Sequence, residues 1–207
     1  YTRNTPALTV KHLYYGVEII TKNAVATTFD SDVSEEKIEQ TGFTFAGVTS
    51  TVGELTDEAI ADGRITGKMP NEAVTITFTY EANPYNVYYD ANTGTGTMTD
   101  PANPYIYEEE VTVLDNEFTK DGYHFTGWLY EEESYAQYRT FTILSNGDVI
   151  QPDDTFNMPA SDVTLYAQWA ANRDISYTVR YLEQESNKKL APDKLVENQV
   201  FGNIVTE

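Results

Sequence analysis

Apolar and polar residues alternate with period two along most of the chain. Val74, Ile76, Phe78 and Tyr80 alternate with Thr75, Thr77 and Thr79, and Val163, Leu165, Ala167 and Trp169 alternate with Thr164, Tyr166 and Gln168. β-Branched and aromatic residues in this rhythm predict strands buried on one face. Met69-Pro70 and Met158-Pro159 stand just ahead of these segments. A proline fits a strand entrance because it has no N–H to give a ladder further in. The same phase turns Leu8, Val10 and His12 inward on an opening strand, with Tyr85, Val87 and Tyr89, and then Tyr177, Val179 and Tyr181, in matching places.

Two segments break the rhythm. DSDVSEEKIEQTG (30–42) begins with a polar cap, carries acidic residues in its first turn, spaces Val33 and Ile38, and stops at Gly42. That pattern predicts a helix. VLDNEFTKDG (113–122), with Leu114 and Phe118 four apart and Gly122 as the stop, predicts a shorter one. A short helix with about four or five strands per unit gives an α+β, sheet-dominated module. A helix lying across a curled mixed sheet, β-grasp-like, is the expected architecture.

The segments recur. Gly42-Phe43-Thr44-Phe45-Ala46-Gly47 has the layout of Gly122-Tyr123-His124-Phe125-Thr126-Gly127, and MPNEAVTITFTYEAN (69–83) aligns without a gap on MPASDVTLYAQWAAN (158–172). Internal repetition of this kind marks an array of similar units. The chain divides into residues 1–83 (the repeat itself from about residue 5), residues 84–172, and the opening half of a further module, 173–207. Tyr80–Asn83 and Trp169–Asn172 close their units, and Tyr1–Asn4 has the same shape, which predicts the tail of a preceding unit. In DGYHFTGW (121–128), Tyr123 and Phe125 share a face and His124 points the other way. Gly122 ends the expected helix, Gly127 turns the chain, and Trp128 caps a core edge. Thr44 stands where His124 does in the sister repeat, so the stretch reads as scaffold.

Charge narrows the partners. The 33 acidic and 13 basic residues give a net charge of −20. Such a surface repels nucleic acid and anionic bilayers. Most of the excess lies in 84–172, in runs such as Glu108–Glu110 and Glu131–Glu133, which read as solvated faces. The chain has no cysteine, so disulfides, thiolate metal sites and cysteine nucleophiles are excluded. No apolar run is long enough to span a bilayer, and no secretion signal is present. The expectation is no membrane insertion and no nucleic acid partner.

Candidate chemistry is sparse. His12 and His124 are the two histidines, and neither sits in a nucleophile, zinc-protease or phosphate-loop pattern. The segment 30–41 opens like a calcium loop but lacks the glycine at its sixth position and the glutamate at its twelfth. No catalytic residue, metal site or cofactor is assigned. Lys11 faces outward and Tyr88 replaces it in the next repeat, which argues against an intramolecular isopeptide bond. Tyrosines gather in 84–172, and Tyr105, Tyr107, Tyr135 and Tyr138 on its loops are candidate ligand-stacking residues. Core and cross-strand packing is the other use of such rings.

Residues 85–169 carry Y-x-V-x-Y-D-A-N, K-D-G-Y-x-F-x-G-W and M-P-x-S-D-V-T-L-Y-A-Q-W. This stretch resembles the internalin-type B repeat, also called the Listeria–Bacteroides repeat. Its signature falls on Gly122, Tyr123, Phe125, Gly127, Trp128, Met158, Pro159 and Trp169. The stretch 131–148 is longer than is usual for that family. Residues 177–203 are similar to the opening half of a mucin-binding-protein (MucBP) repeat, and 5–83 resembles the same group more loosely, with Val48 and Tyr80 in place of the tryptophans. The resemblance implies a secreted, wall-attached bacterial surface protein. Its modules would be strung as a stalk with neighbouring repeats, with host glycan, mucin or a surface protein as possible partners.

Overall fold

The computed structural model describes residues 2–51, 62–130, 147 and 149–205. Along them run β1 (Ala7–Tyr14), β2 (Val17–Ala26), β3 (Asp32–Glu36), β4 (Phe43–Ser50), β5 (Arg64–Lys68) and β6 (Val74–Ala82). There follow β7 (Pro84–Tyr85), β8 (Val87–Asp90), β9 (Tyr105–Ile106), β10 (Glu110–Thr112), β11 (Tyr123–Tyr130) and β12 (Val149–Ile150). The series closes with β13 (Thr155–Asn157), β14 (Val163–Ala171), β15 (Ile175–Val179) and β16 (Lys194–Gln199). Two compact units result: Tyr1–Tyr85 with Ile106–Glu108 and Met158–Ser161, and Asn86–Tyr105 with Glu109–Asn157 and Asp162–Glu207.

In the first unit the sheet order is β2-β1-β6-β4. β6 lies parallel to β1 from Leu8↔Val74 to Tyr14↔Tyr80, and antiparallel to β4. The alternation read from sequence appears in the burial. Leu8, Val10, Val74, Ile76, Phe78 and Tyr80 form the core with Val48, Ile65 and Met69, while the intervening threonines face outward or sit half-buried. A second, two-stranded ribbon pairs β3 with β5, where Asp32 faces Lys68 and Glu36 faces Arg64 as ion pairs. These are exposed pairs, screened by solvent and of little consequence for stability. Their main effect is to favour this register.

The second unit repeats the frame with the order β12-β11-β14-β8. β14 lies parallel to β8 from Val87↔Val163 to Asp90↔Tyr166, and antiparallel to β11. The β10–β13 ribbon takes the place of β3–β5. Both repeats carry a register shift at the same point, Phe45/Gly47 and Phe125/Gly127. β8 ends the sheet, and the side-chain amide of Asn103 closes it: its oxygen accepts the Val87 N–H at 2.8 Å and its nitrogen donates to the Val87 carbonyl at 2.8 Å. In the first unit β2 performs this covering as a true strand. Beyond residue 172, β15 and β16 make an antiparallel hairpin.

Three expectations are corrected. Residues 30–42 form strand β3 and a loop, and 113–122 form an irregular segment; no helix occurs among the described residues. The α+β assignment therefore gives way to an all-strand architecture there. Asp30 has φ 65, outside the extended conformation of an N-cap. Val33 lies half-buried between exposed neighbours, a period-two pattern. In 113–122 the Asn116 side chain accepts the Phe118 N–H and donates to the Phe118 carbonyl, both at 3.0 Å. Such local bonds draw the backbone away from a helix. Trp128 is not an edge cap: it is fully buried among Tyr89, Phe125 and Phe118, at centroid distances of 4.8, 4.9 and 6.0 Å. Among the described residues no helix is long and apolar enough to cross a membrane.

Candidate functional site

The four candidate tyrosines have different fates. Tyr105 is buried, 7% exposed, and its hydroxyl donates to both carboxylate oxygens of Asp100 at 3.1 and 3.2 Å. Burial, helped by the Asp100 charge, raises its pKa far above the ordinary tyrosine value. With its ring in the core, it offers no stacking face. Tyr107 is half-buried within the first unit, where its ring stands edge-on to Phe43 at 5.2 Å. Tyr135 and Tyr138 lie outside the described residues, as does the Glu131–Glu133 run. The described residues thus do not join Tyr105 and Tyr107 into one exposed patch.

The inward histidine is confirmed and has a defined setting. His12 is 0% exposed and stacks on Phe78 at 4.9 Å with an interplanar angle of 9°. The Ile38 N–H donates to the Tyr80 hydroxyl at 3.0 Å, and that hydroxyl lies 3.0 Å from His12 Nδ1. Which of these two atoms donates follows the imidazole tautomer. Nε2 is buried without a partner among the described residues. Burial, and secondarily the charge of Lys22, lowers the His12 pKa. In the second unit the inward Tyr89 matches Val10 by strand register rather than His12, and its hydroxyl accepts the Leu114 N–H at 3.0 Å. Burial pushes that tyrosine up to about 12. His124 is exposed, with Nδ1 3.0 Å from the Asn172 side-chain oxygen.

Signature residues that looked like isolated turn markers build a repeated contact. Gly42 has φ 81 and Gly122 has φ 80, conformations that favour glycine. A Cβ on Gly42 would collide with the Tyr107 ring, and one on Gly122 would collide with the Phe201 ring. Each incoming ring also stands edge-on to the aromatic after the glycine: Tyr107 to Phe43, and Phe201 to Tyr123 at 5.6 Å. The closing asparagine completes both sites. Asn83 N–H donates to the Gly42 carbonyl at 2.9 Å, and its own carbonyl accepts the Tyr107 N–H at 2.9 Å. Asn172 does the same with Gly122 at 2.8 Å and Phe201 at 2.9 Å. In sequence, each ring comes from the repeat after the one whose glycine it covers. Sequence reading missed these rings because Phe201 and Tyr107 lie far along the chain from their glycines.

Among the described residues no group of three or more His, Asp or Glu side chains is placed to hold a metal ion. Comparison with known proteins agrees with the repeat structure. Residues 85–168 match the family model of the Listeria-Bacteroides repeat domain. Over 161 residues, 75% of this chain and 17% of the relative, the sequence is 30% identical to a "Putative Gly-rich membrane protein" of Evansella cellulosilytica. A "Putative membrane protein" of the same organism is 33% identical over 106 residues, 49% of this chain and 14% of that protein. The chain spans less than a fifth of the length of either relative.

Proposed function

We propose that this chain, with a Listeria-Bacteroides repeat at residues 85–168, is a non-enzymatic run of extracellular repeats. It would serve as a tension-bearing spacer on a bacterial cell surface. One observation carries the reading: in each repeat a strand near the start is the parallel neighbour of the closing strand, β1 with β6 and β8 with β14. A pull on the two ends of such a repeat draws these strands along each other in opposite directions. Every bond of the ladder is then strained together, whereas peeling a strand from one end breaks them in turn. A module that holds by shear suits a stalk. Envelope association is supported by the names of the two relatives, and wall attachment through another region, MucBP-type character and a β-grasp kinship of the frame belong to the same proposal.

The test is single-molecule stretching of the chain held by its two termini. A second attachment places cysteines on β4 and β6 of the cysteine-free chain, so that those strands are peeled apart. The spacer reading expects a clearly higher rupture force for the end-to-end pull. Equal forces would remove its basis. Adhesion to glycan or mucin is the alternative, and Tyr88, 50% exposed, is the described ring that favours it. Saturable binding on a mucin array, lost on Tyr88→Ala, would establish that activity.

A further inference from the structure

Three aromatic residues hold one position in the repeat frame, and two of them have been accounted for. Tyr107 covers Gly42 and Phe201 covers Gly122. The third is Phe29. Its N–H donates to the Asn4 carbonyl at 2.9 Å, as Tyr107 does to Asn83 and Phe201 to Asn172. The next residue has positive φ in all three copies: Asp30 at 65, Glu108 at 67 and Gly202 at 82. A left-handed backbone is uncommon outside glycine, though aspartate visits it more readily; its recurrence at this one place in all three copies marks a shared demand for aiming the preceding ring. That residue is also tied back to its own repeat: Asp30 N–H donates to the Met69 carbonyl at 2.8 Å and Glu108 N–H to the Met158 carbonyl at 2.9 Å. Phe29 thus has the anchoring of its two counterparts. It is 41% exposed, and its ring has no aromatic partner among the described residues.

We infer that Phe29 seats on the positive-φ glycine and following aromatic of one more repeat of this kind, whose closing residues stand where residues 1–4 stand here. A second copy of this chain is not the occupant. Its two glycine turns are already covered by Tyr107 and Phe201, while Asn4 already holds the Phe29 backbone in the register that a closing asparagine provides. The inference rests on reading the chain as a run of repeats, and it specifies how consecutive repeats connect.

The experiment lengthens the chain by a duplicate of residues 84–172 placed directly before Thr5, so that the duplicate's last four residues replace 1–4. Glycine α-proton shifts are then read by NMR for the duplicate's covered glycine. Comparison is made with Phe29→Ala and with Phe29→Tyr, the latter being the ring used at 107. An aromatic ring over a glycine moves its α-protons upfield. The expected result is an upfield shift in the parent and in Phe29→Tyr, lost in Phe29→Ala, with dispersed amide signals from the duplicate showing it folded in all three. A folded duplicate whose glycine ignores Phe29 overturns the inference. Tyr107→Ala and Phe201→Ala in the unextended chain serve as the reference. If Gly42 and Gly122 respond to them while the duplicate's glycine does not respond to Phe29, the repeat reading stands and only the Phe29 inference fails. If Gly42 and Gly122 do not respond, the repeated contact itself is refuted. Self-association of the unextended chain, abolished by Phe29→Ala, would also overturn the inference by making a second copy the occupant.

Discussion

Trp128→Ala removes the largest fully buried side chain of the second unit. Truncating a buried tryptophan costs about 3–5 kcal/mol through lost transfer energy and the cavity left behind. Two local features put this site at the upper end of that range. Tyr89, Phe118 and Phe125 all lose a ring they touch edge-on. The Leu114 carbonyl also loses the indole N–H, which donates to it at 3.1 Å. A domain of this size has about 5–15 kcal/mol in all, so the repeat loses a large part of its margin. Trp128→Phe keeps most of the packing and loses mainly the indole bond and some volume, so about 1–3 kcal/mol is expected. The chain has two tryptophans, Trp128 and Trp169, both in residues 84–172. Fluorescence during urea unfolding therefore reports on that repeat, and in Trp128→Ala the signal comes from Trp169 alone. Amide NMR of residues 5–83 should remain dispersed while the fluorescence midpoint falls. A midpoint for Trp128→Ala within about 0.5 kcal/mol of the parent, the scale of an ordinary surface substitution, would refute the assignment of Trp128 to the core.

Two further predictions concern single positions. Because the folded pKa of His12 lies below its unfolded value near 6.5, the unfolded chain binds the proton more readily. The first repeat should hold full stability above that pH and lose it as pH falls from about 6.5 toward the lowered folded pKa. His12→Phe should flatten this segment of the curve in pH-dependent urea titrations and leave the repeat at least as stable at pH 6, since it removes the buried Nε2 that has no partner among the described residues. An undiminished pH slope in that variant would contradict the assignment. The two bulge glycines should respond unequally to alanine. Gly127 has φ 141, and a Cβ there would lie 2.6 Å from Gln151 Nε2 and 2.8 Å from Val149 Cγ1, whereas at Gly47 it would meet only Thr79 Oγ1 at 3.5 Å. Thermal melts should show Gly127→Ala losing several degrees and Gly47→Ala little change; equal losses would contradict the described geometry.

The faces of the strands were legible because they depend on neighbours two residues apart. Leu8, Val10 and His12 turned inward as the alternation required, and Lys11 and Tyr88 turned outward. The 30–42 segment misled because its acidic residues and terminal glycine satisfy the rules for a helix. What sets its structure is non-local: β5 pairs with it in a ribbon, Lys68 and Arg64 standing opposite Asp32 and Glu36. Gly122 was read as a stop signal. Its place in the fold depends on Phe201, which is distant in sequence and whose aim is set by a backbone dihedral. Composition carries no trace of a dihedral, and Phe29, Tyr107 and Phe201 follow the closing asparagines at unequal distances with other aromatics between.

The spacer account is tested most directly by an end-to-end pull that resolves both repeats in one trace. The stretch from Ala7 to Ala82 should extend to roughly 260 Å and that from Val87 to Ala171 to roughly 290 Å, at about 3.3–3.6 Å per residue. The two rupture events can therefore be told apart by the length each releases. The β1–β6 register runs over Leu8–Tyr14 and the β8–β14 register only over Val87–Asp90. The account predicts that the longer extension is released first, at the lower force, and that Trp128→Ala lowers that event alone. Release of the shorter extension first, or a single featureless extension of the whole chain, would contradict it.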